Sequence, residues 1–228
     1  MKALKNVSLS CANLSIKSLK FLTDIKTLEL IRCNLRDISS LEHLARLEIL
    51  SLRYSSFDEF PKELGALTEL RLLDLRDCSR LKRIPSNVIS RFSQLEELYV
   101  DDYFDEREDE ETSTEGSNAS LSELNSLSNL VVLFLKIKAK CLSGHLGFIC
   151  NKLLRYDICV NSTGSEFYRV SESRKRALTV KDFTIDRCSN LSMSFVTEVA
   201  SKVQDLQEVY IFFSIVYQDF LESVAFVF

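Results

Sequence analysis

LRLLDLRDC, residues 70–78, spaces apolar side chains at Leu70, Leu73 and Leu75 and closes on Cys78. The same frame occurs in IKTLELIRC, as Ile25, Leu28, Leu30 and Cys33. It returns in VKDFTIDRC, as Val180, Phe183, Ile185 and Cys188. Side chains along a strand point alternately to its two faces, so each L-x-L pair shares one face and its neighbours share the other. A fixed apolar frame that recurs every 20–30 residues marks a stacked solenoid, in which each unit covers the core of the next.

Nine units start at Leu4, Ile25, Leu47, Leu70, Leu95, Leu130, Leu153, Val180 and Leu206. Their inward pairs are Val7/Leu9, Leu28/Leu30, Leu50/Leu52, Leu73/Leu75, Leu98/Val100, Leu133/Leu135, Tyr156/Ile158, Phe183/Ile185 and Val209/Ile211. The frame is that of leucine-rich repeats. The expected fold is therefore α/β: a leucine-rich repeat solenoid, or horseshoe, with parallel strands on the concave face and short helices or irregular turns on the convex one. The repeat domain is expected over 1–215, with an acidic loop insertion at 101–119. An apolar tail or incomplete terminal repeat is expected at 216–228.

The ninth motif position holds Cys33, Ser55, Cys78, Lys138, Asn161, Cys188 and Ser214. Small Cys, Asn and Ser side chains there can hydrogen-bond buried backbone where the chain leaves the strand. Between strands, SSLEHLARLEIL (39–50), PKELGALTELRLL (61–73) and PSNVISRFSQLEEL (85–98) carry apolar residues at helical spacing. Pro61 and Pro85 suit the first turn of short helices. Asn118 or Ser120 can open a turn through Leu121, Leu124 and Leu127, and the stripe Phe195, Val196, Val199 and Val203 predicts a helix of two to three turns.

Composition restricts the function classes. Net charge is −4 over 228 residues, and the segment 101–115 (DDYFDEREDEETSTE) holds nine of the acids and one Arg. Such a segment cannot bury apolar surface and reads as a solvated loop between the fifth and sixth repeats. Lys136, Lys138 and Lys140 share one strand parity, and Arg174, Lys175 and Arg176 form a second basic group. Neither lies on an aromatic stacking platform, so nucleic-acid binding is not expected. The apolar C-terminal run is broken by Gln218, Asp219 and Glu222, so no membrane span is expected. No N-terminal apolar stretch reads as a signal peptide, and the chain enters a strand frame within its first residues, which predicts a fragment of a longer protein.

The seven cysteines lack any Cys-x-x-Cys pair and read as reduced thiols of a cytoplasmic protein. Cys141, His145 and Cys150 form the one nearby metal-type grouping, without metal-site spacing, and His43 stands alone. No phosphate-cradling glycine loop, nucleophile elbow or zinc-protease helix occurs, and the chain has two histidines. No catalytic residues, metal, cofactor or small-molecule substrate are expected, and the chain does not read as an enzyme.

One long block, LEILSLRYSSFDEFPKELGALTELRLLDLRDCSRLKRIPSNVISRFSQLEELYV (47–100), combines Phe57-x-x-Phe60-Pro61 with Asp77-Cys78-x-x-Leu81-x-x-Ile84-Pro85. After the acidic insertion comes LNSLSNLVVLFLKIK (124–138). These stretches resemble the leucine-rich repeat region of plant intracellular nucleotide-binding disease resistance proteins of the coiled-coil subclass. The L-x-x-N-x-L-x-G-x-I-P frame of extracellular receptor kinases is missing. The resemblance covers most of 1–215. It implies a protein-recognition module of plant innate immunity that senses pathogen effectors or guarded host proteins and restrains an upstream switch domain. ATP or ADP is implied only for a parent protein carrying that domain. The alternative is the substrate-recognition arm of an F-box ubiquitin ligase, which also uses leucine-rich repeats.

The candidate partner-binding residues are the outward positions beside each L-x-L pair: Glu29, Arg32, Arg53, Tyr54, Asp74, Arg76, Tyr99, Asp101, Phe134, Lys136, Asp157, Thr184, Asp186, Tyr210 and Phe212. Aromatic and Arg side chains often anchor protein interfaces.

Overall fold

The computed structural model describes residues 4–10, 16–101, 118–137, 152–160, 181–186 and 208–212. The chain divides into two compact units, Met1–Leu130 and Val131–Phe228. Residues 102–117 of the insertion expected at 101–119, the apolar helix expected around 192–203, the tail at 216–228 and the grouping of Cys141, His145 and Cys150 lie outside the described residues, as do the ninth-position residues Lys138, Asn161, Cys188 and Ser214. The end of the expected insertion is not loop: Asn118 bridges to Pro85, and Ala119 is buried with its N–H donating to Ile84 O at 2.7 Å.

In the first unit, β1 (Asn6–Ser10), β2 (Thr27–Ile31), β4 (Ile49–Ser51), β6 (Leu72–Asp74) and β7 (Glu97–Val100) pair in that order, all parallel. A second small parallel ladder joins β3 (Asn34–Arg36) to β5 (Ser56–Phe57). The first members of the inward pairs lie directly opposite one another, Val7↔Leu28↔Leu50↔Leu73↔Leu98. In β2, β4, β6 and β7 and the residue after each, the inward pairs Leu28/Leu30, Leu50/Leu52, Leu73/Leu75 and Leu98/Val100 are fully buried. Burial of each such side chain favours folding by about 1.5–3 kcal/mol before ordering costs.

β1 departs from this pattern. Leu4 is 56% exposed and Leu9 37%, so the first motif pairs its backbone without sealing its side chains. β1 borders one other strand of the described sheet, and side chains of an edge coil are covered from one side alone.

The return segments are 3-10 helices: Ile16–Phe21, Ser39–His43, Lys62–Ala66, Ile89–Arg91 and Leu121–Ser126. The reason is a period of three. Ile38, Leu41, Leu44, Leu47 and Leu50 are all buried, as are Leu64, Leu67, Leu70 and Leu73. A 3-10 helix has three residues per turn, so every third side chain falls on one face. Its bonds follow the same beat, with Leu41 N donating to Ile38 O, Leu44 N to Leu41 O and Leu47 N to Leu44 O. Strands stack about 4.8 Å apart whereas an α-helix is about 10–12 Å wide, so narrow return turns suit a stack with short repeats.

Two sequence expectations change here. Pro61 is extended (φ −69°, ψ 143°) and precedes the helical turn as its cap residue. Pro85 does not start the helix, which begins four residues later at Ile89; it bridges antiparallel to Asn118 and leads into a turn at Ser86 and Asn87. Ser120 does open the next turn, its Oγ accepting the Ser122 N–H at 3.2 Å. The Glu123 carboxylate accepts the Ser120 N–H at 3.3 Å, and also Asn87 N–H at 2.8 Å from the preceding repeat.

In the second unit, β8 (Val132–Ile137), β9 (Arg155–Val160), β10 (Lys181–Asp186) and β11 (Glu208–Phe212) form a parallel ladder in sequence order. Leu133 faces Tyr156 and Phe183 faces Val209, as the motif requires. Between β9 and β10 the pairing differs: Ile158, rather than Tyr156, lies opposite Phe183. The offset is two residues, so the alternation of faces survives.

Candidate protein-interaction face

Two positions fix the corner where each strand ends. The residue before the ninth position is left-handed in successive repeats: Arg32 (φ 55°), Tyr54 (φ 60°) and Asp77 (φ 58°). A side-chain-bearing residue pays for this conformation, and it persists where neighbours hold it. Each N–H is taken by the following repeat: Arg32 N by Arg53 O at 3.1 Å, Tyr54 N by Arg76 O at 2.9 Å, Asp77 N by Asp101 Oδ2 at 2.6 Å.

The ninth-position side chains then tie each repeat to the one before. Cys33 Sγ donates to Leu9 O at 3.7 Å, Ser55 Oγ to Leu30 O at 2.6 Å and Cys78 Sγ to Leu52 O at 3.2 Å. Ser55 Oγ also accepts the Cys33 N–H at 2.9 Å. Cys33, Cys78 and Cys159 are buried free thiols. Burial pushes the Cys78 thiol well above its ordinary range, with nearby Asp101, Asp74 and Asp77 adding to the effect against a backbone hydrogen bond from Ser55.

These corners present the outward side chains in rows. Glu29, Ser51, Asp74 and Tyr99 are register partners across β2, β4, β6 and β7. Thr27, Ile49, Leu72 and Glu97 form the adjoining row. Ser51 escaped the sequence-based selection, although it stands between Leu50 and Leu52 as Asp74 stands between Leu73 and Leu75. Glu97 escaped it because the selection took positions between and after each apolar pair, and Glu97 precedes Leu98.

Arg and Tyr side chains cluster along the strand ends. The guanidiniums of Arg32 and Arg53 both lie over the Tyr54 ring, at 5.1 and 4.7 Å from its centroid. Arg76 lies over Tyr99 at 4.4 Å. Arg76 is also clamped by Asp74, with Nε to Oδ1 at 2.9 Å and Nη2 to Oδ2 at 2.6 Å. Burial opposes the charge on Arg76, but the Asp74 hydrogen bond and the negative charges of Asp74 and Asp101 outweigh it and raise its pKa. Tyr99 donates its hydroxyl to Glu97 Oε2 at 2.6 Å.

Several candidate residues thus serve the fold as much as any partner. Asp74 and Phe134 are each only 6% exposed, Asp74 because it clamps Arg76. One oxygen of Asp101 holds the Asp77 amide. Arg32 is exposed, and Glu29, Arg53, Tyr54, Arg76, Tyr99, Lys136 and Asp157 are half-buried. In the second unit Phe134 pairs in register with Asp157, Thr184 with Tyr210 and Asp186 with Phe212. Lys136 and Thr184 each lie opposite Cys159.

At the other end of the strands the entry residues alternate in charge. Lys26 pairs with Glu48, and Arg71 pairs with Glu96 through Nε at 2.9 Å. The Lys26 hydrogen bond holds the Glu48 carboxyl below its ordinary value, with the charges of Lys26, Arg71 and Lys5 acting in the same direction against slight desolvation.

Among the described residues no cluster of three or more His, Cys, Asp or Glu could hold a metal, and no helix is long and apolar enough to cross a membrane. No family model matches the chain. The fold is shared with an internalin of Listeria monocytogenes, at TM-score 0.57 and 15% identity over 92% of this chain and 56% of that one. It is shared also with a leucine-rich repeat protein of Leptospira interrogans, at TM-score 0.59 and 21% identity over 88% of this chain and 48% of that one. A disease resistance protein of Arabidopsis thaliana is 30% identical over 160 residues, 67% of this chain. The chain is a leucine-rich repeat region of the plant disease resistance type. It spans 15% of the length of that Arabidopsis relative.

Proposed function

We propose that the strand face of these repeats is a protein-recognition surface of an intracellular plant immune receptor. The observation that carries this reading is the row of stacked Arg and Tyr side chains at the strand ends, where hydrogen bonds from one repeat to the next hold the turns that carry them. Arg and aromatic groups supply much of the binding energy at protein interfaces. A preorganised face loses little entropy when a partner docks. The chain acts by binding rather than catalysis, in the cytoplasm, and needs no cofactor of its own. Its partners are a pathogen effector or guarded host protein and the nucleotide-binding switch domain that precedes such repeats in a parent receptor.

The test uses Arg53→Glu in the full chain, with co-precipitation of the switch domain encoded upstream in the parent gene. Among the described residues Arg53 forms no ion pair, so the variant should fold and retain less of the domain. Equal retention by wild type and variant overturns the assignment of this face. Arg76→Glu is a poorer probe than sequence position suggests, since it sets a carboxylate against Asp74.

A further inference from the structure

Arg53 and Arg76 occupy the same motif position in adjacent repeats, two residues after Ser51 and Asp74 respectively, and Ser51 and Asp74 are register partners. Arg76 is neutralised by the Asp74 carboxylate through two hydrogen bonds. Arg53 has Ser51 where that carboxylate would stand. Its guanidinium makes one hydrogen bond, from Nη2 to the Tyr54 hydroxyl at 2.9 Å, and its Nε is buried without an acceptor. Arg32 shares the Tyr54 ring with Arg53, which brings two guanidiniums to one aromatic side chain. Among the described residues neither forms an ion pair, although seven other ion pairs do form. Glu29, the register partner of Ser51, reaches neither of them.

We propose that Arg32, Arg53 and Tyr54 form a carboxylate-accepting site that takes an aspartate or glutamate side chain from an acidic segment of a protein partner. The proposal rests on the recognition role given above and names the chemistry of the partner. Two like charges held against one ring repel each other, and an anion between them relieves that repulsion. Guanidinium groups take carboxylates in a planar two-bond geometry, and the Asp74–Arg76 pair shows that geometry one repeat away. The site lies in the turns just past β2 and β4, where the exposed Arg32 can meet a side chain presented by a peptide backbone. A carboxylate is favoured over phosphate because the neighbouring repeat fills the equivalent place with one.

The experiment titrates fluorescein-labelled hexaglutamate with the full chain and follows anisotropy, using hexaglutamine and an oligothymidylate as the comparison ligands. Hexaglutamate should bind saturably and hexaglutamine should not. Arg53→Gln and Arg32→Gln should each weaken binding about tenfold, the size of one lost charge-assisted contact. Ser51→Asp, which supplies the carboxylate within the chain, should weaken it to a similar degree. Should Ser51→Asp fail to fold by circular dichroism, Arg32→Gln decides the matter, since that side chain is exposed. Binding indifferent to these substitutions overturns the proposal, as does equal binding of hexaglutamine. Oligothymidylate that binds more tightly with the same Arg dependence overturns it in favour of a phosphate polymer. If Arg53→Glu still releases the switch domain while hexaglutamate ignores Arg32 and Arg53, the recognition face stands and the carboxylate site falls.

Discussion

Ser55→Ala should remove the strongest single tie between the second and third repeats. Ser55 is fully buried. Its hydroxyl donates to Leu30 O at 2.6 Å and accepts from Cys33 N–H at 2.9 Å, so one oxygen joins two backbone groups of the preceding coil. Alanine leaves the Cys33 amide without that acceptor and Leu30 O without that donor. An unsatisfied buried amide costs about 1–3 kcal/mol, and the second lost bond adds about 1 kcal/mol. The expected destabilisation is therefore about 2–4 kcal/mol, a large share of the stability of a domain of this kind. Ser55→Cys should recover part of it, because Cys78 already makes the equivalent bond to Leu52 O at 3.2 Å. Recovery should be incomplete, since a thiol is a weak donor and a weak acceptor. Urea unfolding followed by circular dichroism reads the difference from the midpoint, provided the slope is unchanged between variants. A Ser55→Ala midpoint equivalent to less than about 0.5 kcal/mol from wild type would refute the reasoning, for that is the size expected of a bland surface change.

Other consequences follow from the same geometry. Arg76→Glu should cost about 3–5 kcal/mol, the range for breaking a largely buried pair, whereas Arg53→Glu should leave the urea midpoint close to wild type; similar midpoints for the two would count against the separate roles assigned to them. Buried Cys33, Cys78 and Cys159 should resist iodoacetamide at mildly alkaline pH in the native chain and react in urea, as peptide mapping by mass spectrometry would show; for Cys78 the raised pKa reinforces the steric block. Glu48 titrates below its ordinary value of 4.5 because Lys26 bonds to the charged form. Its contribution to folding is thus present above pH 4.5 and fades as pH falls through the lowered folded value. Lys26→Met should move the Glu48 midpoint up towards 4.5 in a carbon-13 carboxyl titration, and an unmoved midpoint would show that the pair does not persist in solution.

The inward face was legible because burial needs only residue type and spacing. Leu28, Leu50, Leu73 and Leu98 could be aligned by counting, and they do lie side by side. The return segments were harder. Apolar residues three apart fit a loose helical reading, and their separation into 3-10 turns depends on the period staying at three through Ile38, Leu41, Leu44 and Leu47 instead of drifting to 3.6. The β9–β10 offset was invisible, because Tyr156 and Ile158 both satisfy the inward parity and pattern alone cannot choose between registers two residues apart. Burial at β1 is not set by the motif alone: the motif specifies which way Val7 and Leu9 point, while exposure depends on how many coils flank them.

The outward face obeys a different logic, and this explains why motif position was a weaker guide there. An outward polar residue can be turned towards a partner or consumed by the next repeat, and the choice depends on what stands one rung away. Asp74 is consumed by Arg76, and one oxygen of Asp101 by the Asp77 amide. Arg53 escapes that fate because Ser51 offers no carboxylate. A single difference between adjacent repeats, Ser against Asp, thus converts an internal clamp into an uncompensated charge on the same scaffold. Repetition makes such differences readable: when two coils share geometry to the residue, the place where one satisfies its own charge and the other does not is where an external group has most to contribute. On that ground the corner formed by Arg32, Arg53 and Tyr54 ranks ahead of the more conspicuous Arg76–Tyr99 stack as a point of recognition.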